Sequence, residues 1–147
     1  MKKIFLVIIA LLIFSGAAFA QRGLNCYPIF EGKVVPAKQM VLTEVRGGGM
    51  ATYKLDYYRG ITFTVDSALA ERVSALVEQD AIGAESCETE KTGEMLTYAL
   101  IQPKVSGKIR HYLCYQARPV DNQWKVTILY LEGPATLEDL HSMFEKQ

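Results

Sequence analysis

Trp124-Lys125-Val126-Thr127-Ile128-Leu129-Tyr130-Leu131-Glu132-Gly133, followed by Pro134-Ala135 and then Thr136-Leu137-Glu138-Asp139-Leu140, is the stretch on which the fold turns. Trp124, Val126, Ile128 and Tyr130 alternate with Lys125, Thr127, Leu129 and Leu131, and a period of two is the mark of a β-strand. Gly133-Pro134 ends that strand. Thr136 to Asp139 then reads as a capping box, a hydroxyl and a carboxylate satisfying the orphan amides of a helix start. The helix it opens carries Leu137, Leu140 and Phe144 on one face.

The same passage from strand to helix occurs upstream. Ile61-Thr62-Phe63-Thr64-Val65 is a β-branched run, and Asp66 or Ser67 reads as the N-cap of a helix to about Ala81. Leu69, Val73, Leu76 and Val77 make its apolar stripe, Glu71, Arg72, Glu78 and Gln79 cover the outside, and Gly83 stops it. Period-two alternation also starts at Met40, with Val41, Thr43 and Val45 against Leu42 and Glu44, and stops at Gly47-Gly48-Gly49. Tyr53, Leu55 and Tyr57 alternate with Lys54, Asp56 and Tyr58, and Arg59-Gly60 reads as a tight turn into the Ile61–Val65 strand. Further strands are expected at 84–91, 94–102, 109–118 and 123–131. Strands, helix, strands, helix with short connections predict an α+β fold: an antiparallel sheet with two helices packed on one face, a two-layer sandwich.

The N-terminus is of another kind. Lys2-Lys3, an apolar run from Ile4 to Phe14 and the small-residue stretch Ser15 to Ala20 form the pattern of a cleaved secretory signal. Cleavage is expected between Ala20 and Gln21, leaving a single domain over 21–147 whose first part, 21–38, is irregular around Pro28 and Pro36. A lipid-bearing cysteine is not expected, because Leu24 and Asn25 precede Cys26 where small residues are needed. The apolar run is too short for an uncleaved anchor spanning a bilayer, which needs roughly 20 residues. After the signal no segment exceeds a handful of consecutive apolar residues, so no span is expected once the signal is removed. The 147-residue chain has 16 basic and 16 acidic side chains. Loss of Lys2 and Lys3 leaves a slight acidic excess, which argues against nucleic acid as a partner.

Catalytic signals are few. An oxidising compartment favours one disulfide among Cys26, Cys87 and Cys114, with the pairing open; three unpaired thiols are the alternative. His111 and Cys114 stand three apart on one expected strand and so point to opposite faces. His141 between Glu138 and Glu145 has the composition of a solvated helix face, and with two histidines in the chain no metal site is expected. Gly47-Gly48-Gly49 lacks the Gly-Lys-Ser/Thr ending of a phosphate loop, and the acidic run Glu85, Glu88, Glu90, Glu94 lacks the form of a calcium loop. No cofactor and no catalytic residue are expected. Aromatics carry more content: Tyr53, Tyr57, Tyr58, Tyr98, Tyr112, Tyr115, Trp124 and Tyr130 fall mostly in expected strands. There they either pack as core and cross-strand pairs or form an aromatic surface on the open face of the sheet, suited to a glycan or a protein of the envelope. Tyr53, Tyr57, Tyr58, Tyr112 and Trp124 are the first candidates for that surface.

The ending from Trp124 to Leu140, together with the helix from Ala68 to Val77, resembles a family of small exported bacterial proteins. In that family the last strand runs into glycine and then a Leu-(Asp/Glu)-Asp-Leu helix. The likeness spans about residues 40–145, and the Pro-rich start, Cys26 and Cys87 depart from the pattern. The family is a domain of unknown function; the resemblance implies an α+β fold and an envelope location, and brings no catalytic residues. The leading expectation is an exported, non-catalytic binding or protein-interaction module of the bacterial envelope, which requires a contiguous exposed aromatic or apolar patch. An accessory subunit associating through a sheet edge requires a long unprotected edge strand and dimers in solution. A small thiol-dependent enzyme requires a pocket around Cys87 or Cys114 with His111 or a basic group in reach.

Overall fold

The structure, a computed structural model, describes residues 23–47, 52–104 and 107–145. The expected signal with its Ala20/Gln21 junction, Gly48-Gly49 and the side chains of Phe144 and Glu145 lie outside the described residues. Among the described residues six strands form one antiparallel sheet. They are β1 (Val41–Arg46), β2 (Tyr57–Val65), β3 (Ser86–Thr92), β4 (Met95–Gln102), β5 (Arg110–Val120) and β6 (Gln123–Gly133), in spatial order β1-β2-β6-β5-β4-β3. Helix α1 (Tyr27–Phe30) and a 3-10 turn (Ala37–Gln39) precede the sheet; α2 (Ser67–Ile82) follows β2 and α3 (Leu137–Glu145) closes the chain. None of these helices is long and apolar enough to cross a membrane.

The quoted stretch forms β6, held between β2 and β5. Its two sets of alternating residues therefore serve two cores. Val126, Ile128 and Tyr130 join Ile61, Phe63, Leu113 and Tyr115 on the first face, under Val73 and Val77 of α2. Leu129 and Leu131 join Leu100 and Tyr112 on the second face, where Leu140 of α3 is buried and Leu137 packs beside it. The α+β class and the antiparallel sheet are as expected, and α2 takes the expected place on one face. The closing helix does not share that face. Its place beside α2 is filled by the N-terminal segment, whose Leu24, Cys26, Ile29, Phe30 and Val35 are buried in the first core.

Asp80 of α2 fastens that segment. Its carboxylate accepts the amides of Asn25 (2.6 Å) and Cys26 (3.0 Å) and the Asn25 side-chain amide (3.1 Å). Burial drives the Asp80 pKa above the ordinary aspartate value, against the pull of these donors. Asp66 caps α2, accepting the Leu69 amide at 2.9 Å. A β-bulge sets the far side of the first core. Glu90 pairs with Tyr98 and Lys91 with Leu96, so Thr97 is the extra residue. The bulge turns Leu96 to the same face as Ala99 and Ile101, and Ser74 of α2 accepts its amide at 2.8 Å.

The turn expected at Arg59-Gly60 is absent: β2 runs unbroken through both residues. Arg59 pairs with Glu44 and Tyr130, and Gly60 with Thr43 and Leu129. Glycine is needed there for another reason. A Cβ on Gly60 would lie 2.9 Å from both the Tyr58 hydroxyl and Leu129 Cδ2, so the Tyr58 side chain lies over the glycine. Gly133 allows a second close approach: its φ is +155°, and a Cβ there would lie 2.7 Å from the backbone of Lys54 and Leu55. That contact lets residues 54–56 bond to the end of β6, with Asp56 N–H to Glu132 C=O at 2.8 Å.

Candidate functional site

Two features of the sheet carry polar groups in arrangements that packing alone does not require. The first is a row at the end of the first face. Register places Arg46, Tyr57, Glu132 and His111 directly opposite one another across β1, β2, β6 and β5. Arg46 sits 4.4 Å over the Tyr57 ring, which meets Tyr130 edge-on with centroids 6.0 Å apart. The Tyr130 hydroxyl donates to Glu132 Oε1 at 2.6 Å, and His111 Nδ1 lies 2.8 Å from the Tyr130 oxygen and 3.2 Å from Glu132 Oε1.

Proton positions follow from the charges. Burial, the bond to Glu132 and that carboxylate's charge all push the Tyr130 phenol far above its ordinary pKa, so it is a donor at any ordinary pH. Its oxygen then accepts from His111, which assigns an imidazole proton to Nδ1. Burial would raise the Glu132 carboxyl, but hydrogen bonds from His111 and Tyr130 outweigh it and hold the group below the usual glutamate range. The His111 and Glu132 side chains are 11% and 10% exposed. A carboxylate that orients an imidazole is one element of general-base chemistry. Among the described residues, no serine, threonine or cysteine side chain bonds to His111. Fastening β5 to β6 is what this network does in the structure.

The second feature is on the other face. Helix α3 crosses one end of it, tied by Lys54 to Asp139 at 3.2 Å and by His141 to Glu88 at 2.8 Å. The rest of the face is open, with a groove of about 350 Å³ lined by Tyr98, Leu100, Cys114, Gln116, Thr127 and Leu129. Two rows build it: Gly60, Leu129, Cys114 and Leu100 form one, and Thr62, Thr127, Gln116 and Tyr98 the other. Phenol, amide and hydroxyl groups rise from an apolar floor, and none of the lining side chains named is a carboxylate or a cation.

The expected site residues fall differently. Cys26, Cys87 and Cys114 are all free. Cys26 is in the first core and Cys114 in the second, with the sheet between them, while Cys87 is exposed on edge strand β3; the expected disulfide is not made. Burial raises the Cys26 thiol pKa, with the Asp80 charge adding to it, and raises Cys114 to about 12. The expected aromatic surface does not form. Tyr57 and Tyr112 are buried, on opposite faces, with the Tyr112 hydroxyl donating to Ala135 C=O at 2.6 Å. Tyr58 and Trp124 are half-buried, Trp124 against the first core and Tyr58 against the second, and Tyr53 is exposed outside the sheet. Strand aromatics went inward because both faces of this sheet carry a core. Tyr98, one of the wider set of strand aromatics, lines the groove. The row around Glu132 was not anticipated; the available signal was a glutamate directly after the apolar run Ile128 to Leu131.

A family model described as a family of unknown function (DUF6108) matches residues 13–144. The chain belongs to that family. The match takes in both cores, the polar row and the groove, so the family is defined over this whole fold. No curated protein and no solved structure matches the chain.

Proposed function

We propose that this member of the family is an exported, non-catalytic binding module of the bacterial envelope. Its ligand in this reading is an uncharged glycan seated on the open half of the second face. The observation that carries the reading is the groove itself. Leu129, Leu100 and Cys114 offer an apolar floor, and Tyr98, Gln116 and Thr127 offer a phenol, an amide and a hydroxyl at its walls. A sugar presents the same mixture of apolar C–H faces and neutral hydroxyls, and neutral walls favour it over a phosphorylated or acidic ligand. The N-terminal pattern ending at Ala20 supports the location.

The test is an NMR titration of the ¹⁵N-labelled chain from Gln21 with solubilised cell-wall glycan fragments. Shifts clustered at Tyr98, Cys114, Gln116, Thr127 and Leu129, lost in Gln116→Trp, are the expected result, with the fragments recovered unchanged in mass. Shifts scattered elsewhere, no shifts, or cleaved fragments would each overturn the reading. The same reading requires the chain recovered from producing cells to begin at Gln21.

A further inference from the structure

The two edges of the sheet are not alike. β3 carries Glu88, Glu90 and Lys91, lies against the bulge in β4, and receives His141 of α3 on Glu88. Charges, a bulge and a covering contact are the devices that keep a strand edge from pairing. β1 has a different surface. It pairs with β2 alone among the described residues, contains no proline and no break in register, and exposes Val41 (69%) and Leu42 (52%). Its two charged residues are already engaged with each other and with β2: Arg46 bonds Glu44 at 3.2 Å, and Arg59 approaches the same carboxylate at 4.0 Å.

Backbone geometry shows which amides face outward. Asp56 C=O accepts from Gly47 N–H at 3.0 Å, while Asp56 N–H turns the other way, to Glu132. Stepping back by two along β1, Val45, Thr43 and Val41 direct their N–H and C=O toward β2, and Leu42 and Glu44 direct theirs away from the sheet.

We propose that two copies of this chain join through β1, antiparallel about a two-fold axis at Thr43, so that one sheet continues across both. An edge strand of this kind takes only an extended polypeptide, and three features of β1 suit it to a second copy. Centring the axis on Thr43 sets Val41 opposite the partner's Val45 twice over on the second face, an apolar β-branched pair. It sets Leu42 opposite the partner's Glu44, so the outward amides of both residues exchange hydrogen bonds. It also avoids placing the two Glu44 carboxylates directly opposite each other, and each keeps its own arginines. The dimer would bring the open halves of the two second faces side by side.

Sedimentation equilibrium on the chain from Gln21, from low to high micromolar concentration, tests this. The expected weight-average mass rises to twice the monomer's. Leu42→Pro removes an outward amide and no hydrogen bond to β2; Val41→Lys puts a charge on a side chain already in solvent, where misfolding is no concern. Both variants are expected to stay monomeric with far-UV circular dichroism unchanged. In the wild type, hydrogen exchange at Leu42 and Glu44 is expected to slow as concentration rises. A wild-type chain that stays monomeric throughout overturns the proposal, as does a dimer that persists in Val41→Lys.

Discussion

Tyr130→Phe tests the electrostatics of the buried row. The substitution removes one oxygen from a fully buried ring. That oxygen donates to Glu132 at 2.6 Å and is 2.8 Å from His111 Nδ1. A hydrogen bond to a charged partner contributes about 1.5–3 kcal/mol, against about 0.5–1.5 for a neutral one. His111 keeps Glu132 within reach at 3.2 Å, so the lost Tyr130 bond dominates and the cost at pH 7 is about 2 kcal/mol. The pH dependence has a definite sign. Glu132 has a folded pKa below its ordinary value, so its stabilisation is fully present above the unfolded carboxyl pKa of about 4.3 and disappears as pH falls through the folded value. Tyr130→Phe should therefore cost most at neutral pH, and its cost should fall toward the neutral-bond remainder of about 1 kcal/mol or less as pH drops through the lowered folded pKa of Glu132. Urea unfolding followed by circular dichroism at pH 7, 5 and 3 measures this. Tyr112→Phe is the control, because its hydroxyl meets the neutral Ala135 carbonyl and its cost of about 1 kcal/mol should not vary with pH. A Tyr130→Phe cost that is flat with pH, or no larger than that of Tyr112→Phe at pH 7, would refute the charged-network argument.

Two further outcomes follow from the packing. Native chain treated with iodoacetamide at pH 8 should be modified quickly at Cys87 alone, because Cys26 and Cys114 are buried and their thiols are raised; denatured without reductant, it should take three labels by mass spectrometry, and two protected cysteines would mean a disulfide the structure does not contain. Gly60→Ala places a methyl 2.9 Å from Tyr58 and Leu129 and should destabilise by about 1–3 kcal/mol in urea unfolding, whereas an unchanged midpoint would show that Tyr58 swings away without cost.

Much of the fold follows from local pattern. Both main helices with their caps at Asp66 and Thr136, and strands β1 and β6, are set by the period of apolar residues and by side chains that bond to amides three positions away. Such interactions lie within one element, so a single sequence contains them. Arg59-Gly60 shows where that stops. Locally it is a turn dipeptide, yet hydrogen bonding to strands on both sides holds it extended, and those strands are distant in sequence.

Faces and neighbours were decided only in three dimensions. Alternation states that β6 has two faces but not which helix covers each; in the fold Asp80 holds residues 25 and 26 against α2 on the first face, and α3 packs on the opposite side. Whether Tyr57 and Tyr112 are surface or core stayed open in the sequence, because one strand cannot show that the sheet is packed on both faces. His111, Tyr130 and Glu132 meet, and Tyr98, Gln116 and Thr127 line one groove, because antiparallel register sets residues from neighbouring strands directly opposite. The sequence by itself determined both main helices with their starts, most of the strands and the α+β class, since those arise from neighbours along the chain. Only the tertiary structure decided what is buried, which edge is open and where a ligand has room, since those depend on which distant strands pair.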